Sequence, residues 1–115
     1  MNRLVYVAHR YADDPAGNVE KMRAICRAIV DAGDIPICAP LYLPAFLDEA
    51  TERALALEIG LRLIDLCREV RVFGSISAGV QAEIDHAIAA RIPVVFVNAR
   101  RNRIEDPDSE ANDPE

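Results

Sequence analysis

Long hydrophobic runs are missing from this sequence. No apolar run approaches the roughly 20 residues that a membrane-spanning helix requires, and the apolar stretch near the N-terminus is shorter than that of a signal peptide. At 115 residues, with 51% hydrophobic and 28% charged residues, the chain has the composition of one globular domain. We therefore expect a cytoplasmic protein with no membrane partner.

The sequence also has few cysteines and no surplus of basic residues. Its three cysteines, Cys26, Cys38 and Cys67, are odd in number and widely spaced within apolar patterns. This favours reduced core thiols over a disulfide framework or a metal site. The formal net charge is -6, of which -4 belongs to residues 101–115, so the rest of the chain is nearly balanced. Without a basic stripe, polymeric nucleic acid is disfavoured as a partner.

The composition changes sharply near residue 100. Residues 101–115 contain six acidic residues and two prolines but almost no apolar residues. Such a segment cannot bury enough apolar surface to offset the entropy of ordering. The sequence therefore predicts a domain over residues 1–100 followed by an acidic flexible tail over residues 101–115.

Short apolar runs and helical patterns alternate along residues 1–100. The predicted strands are 3–9, 35–40, 69–74 and 93–97; the predicted helices begin near Pro15, run from Glu49 to Arg68, and run from Ala78 to Ala90. Continuous apolar strands that alternate with helices are typical of a parallel sheet covered on both faces. We expect an α/β fold, a three-layer doubly wound sandwich of Rossmann or flavodoxin type, with four or possibly five parallel strands.

In such folds, ligands bind at the carboxyl ends of the strands. The turn GSISAG, residues 74–79, follows the third strand there, and Ser77 is a plausible N-cap whose helix start suits an anion. With Ser77 as the cap, Gly79 and Glu83 lie on one face of the helix. Glu83 is then either a solvated acid near the positive end of the helix dipole or a nucleophile in a cleft. Neither GxGxxG nor GxxxxGK[ST] is present.

Three segments together resemble a known family. The segments VYVAHRY at residues 5–11, SAGVQAE at residues 77–83 and IPVVFV at residues 92–97 are similar to the nucleoside 2-deoxyribosyltransferase superfamily. Its members open with a tyrosine-containing strand and carry a D/S-x-G-T/V-x-x-E motif whose glutamate is the nucleophile. The resemblance covers Leu4 to Val97 in element order, and it extends to 2'-deoxynucleoside 5'-monophosphate N-hydrolases.

The resemblance implies roles for particular residues. Glu83 matches the nucleophile, Tyr6 the tyrosine that orients it, Gly79 the motif glycine, and Ser77 the hydrolase serine that contacts the phosphate. Further substrate-binding candidates lie in the turns that follow the first and the third predicted strands; they are His9, Arg10 and Tyr11 in the first turn and Ser75 in the second. An arginine can hold a phosphate in a bidentate manner and a tyrosine can stack on a base, although a surface Arg10 and a rim Tyr11 are equally compatible with the sequence.

For several other polar and aromatic residues, the sequence allows more than one role. Glu58 and Asp65 are candidates for a second catalytic carboxylate, and Glu58 is equally readable as an ion pair with Arg62. His86 is expected on the helix surface. For Tyr42 and Phe46 we expect core packing, with a cover over a base or a subunit contact as alternatives. Asn98 is a candidate for a neighbouring subunit's site.

The implied chemistry is cleavage or transfer of the N-glycosidic bond of a 2'-deoxynucleoside or its 5'-monophosphate. It needs no metal or other cofactor, and the partner is a small nucleoside or nucleotide bound by a homodimer. A non-catalytic nucleotide-binding or sensing module with the same cleft is the alternative. A weaker third possibility is a partner-binding domain that uses the apolar loop LYLPAFL, residues 41–47, and the acidic tail.

Overall fold

The computed structural model describes residues 2–98 and the backbone of residues 103–104. Its strands are β1 (Leu4–Ala8), β2 (Ile35–Ile37), β3 (Glu69–Phe73), β4 (Val94–Asn98) and β5 (Arg103–Ile104); its helices are α1 (Pro15–Asp31), α2 (Arg53–Ile64) and α3 (Ala78–Ala89). The residues between β2 and α2 form two short 3-10 turns, Ala39–Leu41 and Leu43–Ala45. The alternation of strands and helices that the sequence predicts is confirmed.

The five strands form one sheet in the order β2-β1-β3-β4-β5. The first four strands are parallel, and β5 pairs with β4 in the antiparallel direction. The strand order reverses between β1 and β3, as in flavodoxin-like folds. This confirms the doubly wound α/β fold with four parallel strands. The fifth strand extends the sheet with opposite direction, and residues beyond 104 lie outside the described part of the chain.

Helices cover both faces of the sheet because side chains alternate along each strand. Val5 and Val7 of β1 pack with Met22 and Ile29 of α1 on one face. On the other face, Tyr6 and Ala8 belong to a buried cluster that also contains residues of α2 and α3; these are Ile64, Val80, Ile84 and Ala87. We call the two sides the α1 face and the α2/α3 face.

The ends of α1 follow local sequence signals. The Asp14 side chain caps the helix by accepting a hydrogen bond from the Gly17 N–H at 3.3 Å, and Pro15 occupies the first turn. Gly33 follows the helix with φ of 96°, a left-handed conformation that suits a residue without Cβ. The predicted start at Pro15 and the predicted stop at Gly33 are confirmed.

Helix α2 is shorter than the predicted span from Glu49 to Arg68. At its start, the Asp48 side chain accepts from the Ala50 N–H and the Glu52 side chain accepts from the Asp48 N–H, both at 2.8 Å. These side-chain bonds hold a turn in place of helix. At its end, the Arg68 N–H donates to the Leu4 carbonyl, so the chain has already joined the sheet.

The apolar loop between β2 and α2 leaves two aromatic side chains in solvent. Tyr42 and Phe46 pack edge to face with ring centroids 5.8 Å apart, and they remain 44% and 64% exposed. The prediction of core packing is therefore wrong for both. The reason is that the two 3-10 turns bury Leu43 and Ala39 instead.

The three cysteines are free thiols, with Cys38 and Cys67 buried and Cys26 half-buried. The Cys38 thiol lies 3.4 Å from the Met22 sulfur, and the Cys67 thiol donates to the Leu63 carbonyl at 3.3 Å. These positions agree with the prediction of core thiols. Within residues 2–98, no helix is long and apolar enough to cross a membrane.

Candidate functional site

The Glu83 carboxylate meets the Tyr6 hydroxyl inside the α2/α3 face. Tyr6 lies on β1 and has no solvent exposure. Its hydroxyl donates a hydrogen bond to Glu83 Oε2 at 2.7 Å, across 77 residues of sequence. Glu83 is half-buried, so it is not a fully solvated acid. The structure thus brings together the two residues expected to be catalytic.

The start of α3 determines where Glu83 lies. Gly74, with φ of 74°, turns the chain at the end of β3. The Ser77 side chain then caps α3 by accepting from the Val80 N–H at 3.2 Å, as the sequence predicts. Val80 and Ile84 are buried, and Glu83, one residue before Ile84, lies beside this apolar stripe within reach of Tyr6 in the middle of β1.

Burial dominates the electrostatics of the pair. Loss of solvation raises the pKa of Glu83 to about 7 from an ordinary value of 4.5, and the hydrogen bond from Tyr6 opposes this rise. Burial and the neighbouring Glu83 raise the pKa of Tyr6 well above 10, so Tyr6 is a neutral donor. A carboxyl group whose pKa is raised towards neutrality by burial is typical of functional sites.

Gly60 of α2 covers the pair from above, and sequence reasoning missed it. A Cβ built on Gly60 would lie 2.9 Å from the Tyr6 hydroxyl oxygen and 3.7 Å from Glu83 Oε2. A glycine inside a helix costs about 1 kcal/mol relative to alanine. A lone glycine in the apolar helical run LEIGLRLI is the signal that would have identified this position.

Arg10 links the loop after β1 to the turn after β3. Its Nη1 donates to the Ser75 hydroxyl, and its Nε lies 3.1 Å from Asp13 Oδ2. Asp13, which sequence reasoning did not include among the site residues, also accepts from Asn18 Nδ2 at 2.9 Å. Arg10 and Ser75 are thus brought together at the carboxyl ends of β1 and β3, where an anion would meet both.

The remaining substrate-binding candidates are less closely connected to the Tyr6–Glu83 pair. His9 Nδ1 lies 2.7 Å from the Arg10 carbonyl oxygen. Tyr11 packs against the cluster on the α1 face, on the other side of the sheet from Glu83. Gly79 has free space around it, since a Cβ there would have only the Ser77 hydroxyl oxygen within 4.0 Å.

Neither candidate for the second carboxylate contacts Glu83. Glu58 is exposed and pairs with Arg62 at 3.1 Å, as its spacing in the helix allows. Asp65 Oδ1 lies 2.7 Å from His86 Nε2 and joins the end of α2 to α3. Within residues 2–98, hydrogen bonds and ion pairs bring no second carboxylate to Glu83. Asn98 ends β4, and its side chain lies outside the described part of the structure.

A separate apolar cavity of about 370 Å³ lies beside β2, the edge strand. Its lining residues are Cys26, Pro36, Ile37, Cys38, Leu41, Tyr42 and Leu63. Neither Tyr6 nor Glu83 lines it, so this cavity is distinct from the pair.

Comparisons with known proteins agree with this fold. A 2-deoxyribosyltransferase from the psychrotolerant bacterium Bacillus psychrosaccharolyticus is similar in structure, with 16% sequence identity, a TM-score of 0.62 and coverage of 83% of this chain and 72% of that chain. A 2-deoxyribosyltransferase from Leishmania mexicana is similar with 12% identity, a TM-score of 0.64 and coverage of 91% and 79%. At these identities, the similarity shows the fold alone, an α/β fold like that of these two enzymes.

The family is shown by the sequence itself. Residues 3–97 match the model of a domain of unknown function, DUF7768, and the chain belongs to that family. The comparison with curated proteins gave no match. The family description assigns no activity.

Proposed function

We propose that this protein cleaves or transfers the N-glycosidic bond of a 2'-deoxynucleoside or its 5'-monophosphate, with Glu83 as the nucleophile. The observation that carries the proposal is the hydrogen bond from the buried Tyr6 hydroxyl to Glu83 Oε2 at 2.7 Å. This bond holds one carboxylate oxygen in place, in a fold that is similar to two 2-deoxyribosyltransferases.

In the proposed reaction, the ionised Glu83 carboxylate attacks C1' of the sugar. The C1'–N bond breaks through an oxocarbenium-like transition state, and its electron pair leaves with the base, which takes up a proton. The resulting glycosyl ester is then opened by water, which gives the free sugar, or by the nitrogen of another base, which gives a new nucleoside. Tyr6 orients the carboxylate in both steps.

The anion of a 5'-monophosphate fits the turn after β3. The free N–H groups at the start of α3 favour negative charge, Arg10 adds a cation, and Ser75 and Ser77 add hydroxyl groups. His9, Tyr11 and Gly79 complete the proposed binding set by position; they contribute at the rim and not at the reacting carboxylate. We propose a homodimer that needs no cofactor and takes a small nucleoside or nucleotide as its partner.

The test is to incubate the protein with a panel of deoxynucleosides and their 5'-monophosphates, with and without an acceptor base, and to measure the released free base by chromatography. We expect Glu83→Gln to abolish release while substrate binding persists, because the amide keeps the shape and loses the nucleophile. Asp85→Asn is the matched control. Asp85 is an exposed acid on the same helix, and its variant should release base at the wild-type rate. Equal release by Glu83→Gln would refute the proposed role.

The phosphate site is tested with the same panel. Ser77→Ala should weaken binding of the monophosphates and spare the unphosphorylated nucleosides. Loss of the cap also costs about 1 kcal/mol of stability, so Ser75→Ala, which removes a hydroxyl that caps nothing, serves as a second variant. Equal weakening of both substrate forms would argue for a folding defect.

A non-catalytic nucleotide-binding or sensing module remains the second candidate function. The specific observation in its favour is that Glu58 and Asp65 are engaged by Arg62 and His86, so that residues 2–98 offer no identified acid to protonate a leaving base. Binding of a deoxynucleotide that depends on Ser77, without release of any base by the wild-type protein, would favour this second candidate.

A further inference from the structure

The contact between α2 and the Tyr6 hydroxyl requires a residue without a side chain. Gly60 lies within α2 and is buried, as is Ile64 one turn later. The two residues define the face of α2 that packs on the sheet. At Gly60 the helix backbone therefore approaches the Tyr6–Glu83 pair directly.

The distances show how tight this approach is. A Cβ on Gly60 would lie 2.9 Å from the Tyr6 hydroxyl oxygen, closer than real Cβ contacts allow, whereas the Tyr6 Cζ would be at an ordinary 4.0 Å. The clash thus concerns one oxygen atom. Tyr6 has no solvent exposure and is packed among Ile64, Val72 and Val80, so its ring cannot rotate away without disturbing the core.

The same geometry distinguishes the two oxygens of Glu83. Oε2 accepts the Tyr6 hydrogen bond and lies 3.7 Å from the position of a Gly60 Cβ. In the described part of the chain, Oε1 accepts no hydrogen bond from protein. The two oxygens therefore differ, because Oε2 is held by Tyr6 on the Gly60 side of the carboxylate and Oε1 is not.

We infer that Gly60 is a positioning residue for Glu83. Its bare backbone makes room for the Tyr6 hydroxyl, which holds Oε2 and leaves Oε1 as the oxygen that attacks C1'. The last step rests on the proposed function, but the positioning itself does not. It therefore can be tested without any turnover.

The experiment is a cycle of Gly60→Ala and Tyr6→Phe, read by thermal unfolding and by NMR titration of the Glu83 carboxyl carbon. The Glu83 signal is assigned from its loss in Glu83→Gln. Because the clash is with the hydroxyl oxygen, Gly60→Ala should lower the melting temperature in the wild-type background. In the Tyr6→Phe background, Gly60→Ala should instead raise the melting temperature, because only the better helix propensity of alanine remains. Ala54→Gly, an exposed change in α2, should lower the melting temperature equally in both backgrounds.

The titration separates positioning from mere packing. Gly60→Ala and Tyr6→Phe should each raise the Glu83 midpoint, since both remove the hydrogen bond that lowers its pKa, and the double variant should add little further. An unchanged Glu83 midpoint in Gly60→Ala, or equal destabilisation in both backgrounds, would overturn the inference. If Gly60→Ala alone does not fold, the double variant must fold, and its failure would also overturn the inference. If the Gly60→Ala and Tyr6→Phe variants give the expected melting temperatures and Glu83 midpoints but the wild-type protein releases no base, only the proposed function is refuted.

Discussion

Glu83→Gln should stabilise the folded protein, and the gain should grow with pH. Burial holds the pKa of Glu83 at about 7 in the folded protein, against 4.5 for an ordinary glutamate. Between these values the folded state keeps its proton while the unfolded chain has lost it. The protonated form therefore contributes stability that is complete below about pH 4.5 and is lost as pH rises through about 7.

The magnitude follows from the two pKa values. Their difference corresponds to about 3 kcal/mol at about 1.36 kcal/mol per pH unit. About 2 kcal/mol of this is lost between roughly pH 5.5 and pH 8. Glutamine is neutral throughout and its carbonyl can accept the Tyr6 hydrogen bond, so the variant avoids the loss. Its advantage over wild type should thus widen by about 2 kcal/mol over this range.

Urea denaturation at both pH values measures this difference, provided that the slope of free energy against urea is the same for both proteins. Glu58→Gln is the control, because Glu58 is an exposed acid whose ion pair with Arg62 contributes about 0.5 kcal/mol or less. Its effect should change little with pH. An advantage of Glu83→Gln that is constant with pH, or a loss of stability at pH 8, would refute the argument that Glu83 is buried at a cost.

Two further predictions concern parts of the chain away from the site. Asp34 is buried and pairs with Arg3 at 3.0 Å and with Arg71 at 3.7 Å, and its pKa is held below its usual range chiefly by the hydrogen bond from Arg3. Asp34→Asn should therefore lower the melting temperature at pH 7. As pH falls below about 4, the wild-type protein should lose more stability than the variant, which has no carboxylate to protonate at this position. The same dependence of stability on pH in both proteins would contradict this. Truncation after Ile104, which keeps β5, should leave the melting temperature unchanged because the removed residues include six acids and no large apolar side chain. A clear drop would show that they dock on the domain.

Local signals in the sequence predicted both ends of α1, the start of α3 and the alternation of strands and helices. Asp14, Pro15 and Gly33 delimit α1 through contacts within a few residues, and Ser77 caps α3 in the same way. Apolar runs that alternate with helices leave few topologies open once crossovers are right-handed. The limits of α2 were predicted less well, because side-chain bonds at Asp48 and entry into the sheet at Arg68 end the helix earlier than its pattern suggests.

The candidate site was predictable only in part. Spacing within one helix left Glu83 as either a solvated acid or a nucleophile, and only the family resemblance implied the nucleophile and paired it with Tyr6. The contact between them depends on the sheet placing β1 beside β3, a long-range fact. Gly60 and Asp13 were missed for the same reason, since their partners lie on other elements or on a loop whose shape the sequence does not define.

Several features that reduce stability lie at this site, and they help to decide whether Glu83 is a solvated partner of the helix dipole or a functional carboxylate. An acid that merely complements a helix dipole lies in solvent, has its pKa lowered by the dipole and stabilises the fold. Glu83 is half-buried with a raised pKa, and the helix above it carries a glycine that reduces its propensity. Local choices that oppose stability and converge on one carboxylate are typical of functional sites. We therefore propose a working carboxylate and not a dipole partner, and the pH dependence of Glu83→Gln measures the cost of burying this carboxylate.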